Sequence, residues 1–315
     1  MWVASQWPRH DRGFVVSAAR LDIEEVVVAF GGVRALDGVS LVVEPGSMVG
    51  ILGPNGSGKT TLLDVISGQL RPSAGRIVLD GEDLIDYLPE DRADQGVVRS
   101  FQDCRLYPEL TVEAALMVAE DARRPISVLR STLHLPDARR AEAAKRRAVD
   151  ELLETFGLDR FRRQRIDELS TGTRRVVDLA SIVTARPRLL LLDEPTAGIA
   201  QREAEALEPL VRTLHEVTGT TIVLVEHDVP LTVSLCDKLV VMEAGRVVSA
   251  GPVAEVLADP AAAEAYLGAS EEALARSGQA AGPVTGQKAA RPTTRSGQRL
   301  KTGGATPSSR RSARR

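Results

Sequence analysis

The sequence predicts an α/β fold: a mostly parallel sheet with helices on its faces and a helical segment inserted into it. Three observations lead there. From Leu21 onward, short β-branched runs alternate with helical patterns. Four of the runs, Met48–Leu52, Leu189–Asp193, Thr221–Val225 and Leu239–Met242, are apolar almost throughout. Between about Gln102 and Ala185 the periodicity becomes helical. Alternating strands and helices build parallel βαβ units, and strands covered on both faces read as continuous apolar runs.

Taken in order, residues 1–20 carry no periodicity and are expected to form a disordered leader, with Trp2 and Trp7 as isolated aromatics. The main domain is expected over 21–268, with its helical subdomain inserted at about 103–185. Inside that insert Ala141, Ala144, Ala148, Leu152 and Phe156 recur every three or four residues between Arg, Lys and Glu, which marks a packing face. No internal repeat is visible, so one such domain is expected, followed by a basic disordered tail over 269–315.

The strongest local signal is Gly53-Pro54-Asn55-Gly56-Ser57-Gly58-Lys59-Thr60, which satisfies G-x-x-x-x-G-K-[ST] in full. It follows the Met48–Leu52 strand and opens a helix with apolar positions at Leu62, Leu63 and Ile66. That placement suits phosphate chemistry. Glycines let successive backbone N–H groups turn inward around phosphate oxygens, and the helix N-terminus adds positive potential. Lys59 is expected to place its charge on the outer phosphates, the Thr60 hydroxyl to bind Mg²⁺, and Thr61 to complete the nucleotide-binding set. A P-loop NTPase that binds ATP with Mg²⁺ is therefore expected.

Leu189–Asp193 is a buried strand that ends in two carboxylates, Asp193 and Glu194. An acid at the carboxyl end of a strand beside a P-loop suits a magnesium-organising residue, which assigns that part to Asp193. Glu194, one residue on, is placed to polarise an attacking water as general base.

These elements, in this order over about residues 21–268, resemble the ATP-binding cassette family. The resemblance implies a RecA-like sheet with an antiparallel β-subdomain and an inserted α-helical subdomain. It also implies further roles. Phe30 matches the aromatic on which the family stacks adenine. Gln102, in Ser100-Phe-Gln, matches the glutamine that touches Mg²⁺ and couples the sheet to the helical subdomain. His227, in Val225-Glu-His-Asp, matches the histidine that reaches the γ-phosphate. In Leu169-Ser-Thr-Gly-Thr173, Ser170 and Gly172 match the signature residues that bind the γ-phosphate held by a second cassette; Ser170 also suits a helix N-cap. Thr171 and Thr173 stand where the family has Gly and Gln, and Ala200 where it often has Asp, which puts the strength of contact across the dimer in question.

Phe30-Gly-Gly with Ala35-Leu-Asp-Gly-Val-Ser, Val98-Arg-Ser-Phe-Gln102, the long insert, and Glu255-Val-Leu-Ala-Asp-Pro…Ala265-Tyr-Leu-Gly268 are similar to cassettes of branched-chain amino-acid importers. The implied partners are transmembrane permease subunits, a second cassette in a homo- or heterodimer, and indirectly a solute-binding protein. The implied place is cytoplasmic, peripheral on the inner face of the cell membrane. An exporter cassette shares the nucleotide chemistry and stays open. A two-cassette translation factor or a coiled-coil chromosome ATPase fits less well, because the chain has one cassette and no sustained heptads.

Composition agrees with a water-exposed ATPase. No apolar run approaches the roughly 18 residues of a membrane span, and Cys104 and Cys236 match no metal or redox spacing. Charge is unevenly spread. Residues 273–315 hold ten Lys/Arg and no Asp/Glu, so the preceding part carries 30 basic against 43 acidic residues. The tail buries too little apolar surface to fold alone. It is expected to be either an inert extension or an electrostatic contact to an anionic membrane surface. Nucleic acid would suit the same charges, but the tail has no Phe, Tyr or Trp to stack bases.

Overall fold

A computed structural model describes residues 16–100, 106–123, 136–198 and 201–265. Two sheets form its frame. The antiparallel one contains β1 (Leu21–Phe30), β2 (Val33–Val43), β4 (Ala74–Leu79) and β5 (Glu82–Asp83), in the order β2-β1-β4-β5. The larger one contains β3 (Met48–Leu52), β6 (Val97–Arg99), β7 (Leu189–Asp193), β8 (Thr221–Val225), β9 (Lys238–Glu243) and β10 (Arg246–Pro252). Its order is β10-β9-β3-β8-β7-β6, parallel except where β10 pairs with β9.

The four apolar runs are the central strands of this larger sheet, and alternation explains why they are apolar throughout. Leu189 and Leu191 face one core with Val49, Ile51, Val223 and the antiparallel sheet. Leu190 and Leu192 face the other with Met48, Leu52, Leu224 and the helical segment. Successive side chains of a strand point to opposite faces, so a sheet packed on both sides needs apolar residues at every position.

Helix α1 (Lys59–Ile66) packs on the first face through Leu62, Leu63, Val65 and Ile66. Its C-terminal carbonyls are held by Arg92 of the short α2 (Pro89–Asp94), whose guanidinium donates to the oxygens of Val65, Ile66 and Leu84 at 2.7, 2.9 and 2.6 Å. A cation at a helix C-terminus satisfies its orphan carbonyls and opposes its dipole. The phosphate-binding helix is thereby anchored at the end away from its loop.

Between β6 and β7 lie α3 (Val112–Arg123), α4 (Pro136–Thr155) and α5 (Thr171–Thr184). On α4 the buried stripe is Lys145, Val149, Leu152 and Leu153, continuing to Phe156, while Ala141, Ala144 and Ala148 are only half-buried. The face is thus rotated from the one the alanines suggest. On that face lies Lys145, 1% exposed, whose ammonium pairs with Asp121 of α3. After β7 come α6 (Gln201–Thr218), α7 (Val229–Leu235) and α8 (Val253–Ala258). Among the described residues no helix is long and apolar enough to cross a membrane.

Candidate functional site

The register of the parallel strands brings three loops to one edge. Ile51 and Asp193 both pair with Val225, so the carboxyl ends of β3, β7 and β8 lie side by side. Ligands of open α/β sheets bind at this edge. The loops that leave it are Gly53–Gly58, Glu194–Gly198 and Glu226–Asp228.

The first loop owes its shape to glycine. A Cβ at Gly53 would stand 2.1 Å from the Met242 carbonyl oxygen, and one at Gly58 would stand 2.5 Å from that of Ala35. Gly56, also at positive φ, instead faces open space. Pro54 accepts from the Ser57 N–H at 3.2 Å and Ser57 accepts from the Gly245 N–H at 3.0 Å, which closes the loop on the β9–β10 turn. Lys59 reaches back over the loop and donates to the carbonyls of Gly53 and Pro54 at 2.8 and 2.9 Å. Burial lowers its pKa, opposed by the nearby carboxylates of Glu194 and Asp193.

Helix α1 starts at Gly58 with no side-chain cap and no acid in its first turn, so its N-terminal N–H groups keep their positive potential. Among the described residues the buried Ser57 hydroxyl has no hydrogen-bond partner. An uncapped helix start, an orphan hydroxyl and a lysine together fit a polyphosphate.

Asp193, 4% exposed at the end of β7, is not a lone acid. Arg99 of β6 donates to its Oδ2 at 2.6 Å and to Asp64 Oδ1 of α1 at 2.5 Å. A buried carboxylate is retained only where such donors replace its water. Glu194, next in the chain, sits at φ 45°, a left-handed conformation that costs a side-chain-bearing residue about 1–2 kcal/mol. Its N–H donates to the Val225 carbonyl at 2.9 Å, and its Oε1 lies 2.7 Å from His227 Nε2. Strain held at a strand end beside a phosphate loop marks a position that the surrounding structure fixes.

The loop 53–61, Asp193, Glu194 and His227 are therefore gathered at one sheet edge. Phe30 ends β1, 53% exposed, before the tight Gly31-Gly32 turn. Ser170 and Gly172 stand elsewhere, at the start of α5. There the Ser170 hydroxyl accepts from the Thr173 N–H at 3.2 Å and lies 3.1 Å from the Thr173 hydroxyl. Among the described residues neither makes a hydrogen bond to the loop 53–61 in the same chain. Gln102, Ala200 and Cys104 lie outside the described residues, as does the tail. Cys236 is buried, and burial, then Asp237, pushes its thiol up to about 12, so it is inert.

The model of the ABC transporter family matches residues 36–197, from within β2 to the turn after Glu194. The chain belongs to the ABC transporter family. It is an ATP-binding, ATP-hydrolysing cassette subunit of that family.

The high-affinity branched-chain amino acid transport ATP-binding protein BraF of Pseudomonas aeruginosa is 34% identical over 79% of this chain and 97% of its own length. The lipopolysaccharide export system ATP-binding protein LptB of Haemophilus influenzae is 32% identical over 79% of this chain and 97% of its own. Among solved structures, the ADP conformation of MJ1267, an ATP-binding cassette of an ABC transporter, superposes with a TM-score of 0.65 at 29% identity. It covers 81% of this chain and 100% of its own.

Two residues of the cassette's site carry no expectation from sequence, Arg99 and Glu226. Each follows or ends a strand, where a charged residue ordinarily reads as solvated. Only the strand order brings Arg99 between Asp64 and Asp193, and Glu226 beside the turn that follows Glu194.

Proposed function

We propose that this cassette drives an importer for branched-chain amino acids or related small polar solutes, working with transmembrane permease subunits, a second cassette and, indirectly, a solute-binding protein. The observation that carries this is the near full-length similarity to a branched-chain amino-acid transport subunit, together with the Val98–Gln102 and Glu255–Gly268 stretches. An exporter subunit is the second reading, favoured by the similarity to a lipopolysaccharide export subunit over an equal span. The cassette spans about 21–268 and would work at the inner face of the cell membrane.

At the site, the loop 53–58 and the N–H groups of α1 would cradle the β- and γ-phosphates, with Lys59 supplying charge and Thr60 and Thr61 completing the cradle. The exposed ring of Phe30 is free to stack on adenine. Thr60, Asp193 and Gln102 would hold Mg²⁺, and Arg99 orients the Asp193 carboxylate for it. When bound, Mg²⁺ neutralises charge on the phosphates and orients them. Glu194 polarises the attacking water, and His227, hydrogen-bonded to it, fixes its direction and reaches toward the γ-phosphate. Ser170 and Gly172 serve the nucleotide of the second cassette, because the capped start of α5 offers a hydroxyl and an N–H of the kind that bind phosphate.

Reconstitution with permease subunits of a branched-chain amino-acid importer tests the import proposal. ATP-dependent movement of labelled leucine, isoleucine or valine in the import direction is expected. Movement only outward, or of none of the three with an ATPase that responds to another solute, would favour the second reading.

A further inference from the structure

We propose that Glu226 is a positioning residue that locks the Glu194–His227 pair. Glu226 follows β8 directly and is 2% exposed. A carboxylate that deep is retained only where donors replace its water, and three do. Its Oε1 accepts from the Thr196 N–H at 2.9 Å and from the Thr196 hydroxyl at 2.7 Å. Its Oε2 accepts from the His227 N–H at 3.1 Å. Among the described residues it forms no ion pair, so both oxygens are committed to the two loops that carry the site.

The connections close into a ring. From Glu194 the chain turns through Pro195 to Thr196, Thr196 is tied to Glu226, Glu226 to its neighbour His227, and His227 Nε2 returns to Glu194 Oε1 at 2.7 Å. A further bond, from the Glu194 N–H to Val225, crosses the ring at its base. Glu194 needs such support because its left-handed backbone would otherwise relax. Within this ring Glu226 is the member that holds both loops with side-chain atoms and faces neither phosphate loop nor solvent. Its expected part is therefore to fix the direction of the Glu194 carboxylate and the His227 ring.

This rests on Glu194 acting as base, and the test separates the two claims. Glu226→Gln keeps the shape but sets an amide N–H₂ against the N–H of either His227 or Thr196, and Thr196→Val removes the hydroxyl bond alone. A misdirected base lowers turnover without weakening nucleotide binding, and a displacement of about 1 Å can cost up to 100-fold. We expect kcat for ATP to fall at least tenfold in Glu226→Gln and severalfold in Thr196→Val. KM and the affinity for a fluorescent ATP analogue should stay within about threefold, and Thr196→Ser should restore kcat.

Should Glu226→Gln fail to fold, the Thr196 pair carries the test. A wild-type kcat in both variants, or a lower melting temperature as the sole change, would overturn the proposal. So would a loss of ATP affinity matching the loss of kcat. Glu194→Gln runs alongside: if it hydrolyses ATP normally, the base assignment has failed, whereas if it is inactive while both other variants are normal, the positioning claim has failed.

Discussion

Asp178 offers a quantitative test of how α5, the helix that begins at Ser170, is held. Its side chain is 12% exposed, and its Oδ2 accepts no hydrogen bond. The nearest Arg175 nitrogen stands 3.9 Å away, which leaves an attraction but no bond. Burial raises the Asp178 pKa to about 6, with Arg175 opposing. An acid with a raised folded-state pKa contributes stability that is complete below its unfolded value, near 4, and is lost as pH rises through about 6.

At about 1.4 kcal/mol per unit, the loss between pH 4 and pH 8 is about 3 kcal/mol. Asn at this position resembles the protonated acid and does not titrate. Asp178→Asn should match the native chain only below about pH 4 and exceed it in stability above pH 7, by up to about 3 kcal/mol. In a domain this size that is roughly 6–12 °C in Tm. Thermal melts of both proteins from about pH 4 to pH 8 measure the gap. A gap constant with pH would show that desolvation and the Arg175 attraction cancel, and an Asn variant less stable at pH 8 that the attraction wins; either result refutes the reasoning.

Two further outcomes follow from the site and the tail. Ser170→Ala should cost about 1 kcal/mol of helix capping and abolish hydrolysis while leaving monomer ATP affinity unchanged; mixing it with a Lys59→Ala chain should restore activity, and an absence of rescue at every ratio would count against a site shared between cassettes. Truncation after Glu272 should leave ATPase activity intact and weaken salt-sensitive binding to anionic vesicles, since each tail cation near such a surface is worth about 1 kcal/mol; equal vesicle binding by both forms at low salt would leave the tail an inert extension.

Much of the frame was legible because burial on two faces leaves an unmistakable apolar record. Strands β3, β7 and β8 fall where their apolar runs lie. The antiparallel sheet carries a weaker record, since β2 and β4 mix buried with exposed positions and β5 is two exposed acids. It entered through family resemblance and not through periodicity. The face of α4 was obscured by Lys145, a residue type that is almost never buried without a partner on another helix.

The phosphate loop was readable because its pattern is contiguous, with Gly53, Gly56 and Gly58 each taking a positive φ within six residues. Arg99 and Glu226 were not, because their partners lie 94 and 30 residues away, on neighbouring elements. A charge at a strand end acquires meaning only when the strand order is known.

Hydrolysis by Glu194→Gln tests the central claim most directly, because the whole site converges on that carboxylate. The variant should bind ATP as the native chain does and lose hydrolysis by roughly 10²–10⁴, the usual worth of a general base. It should also accumulate as an ATP-bound dimer. Purified Glu194→Gln protein that hydrolyses ATP within about threefold of the native rate would contradict the account.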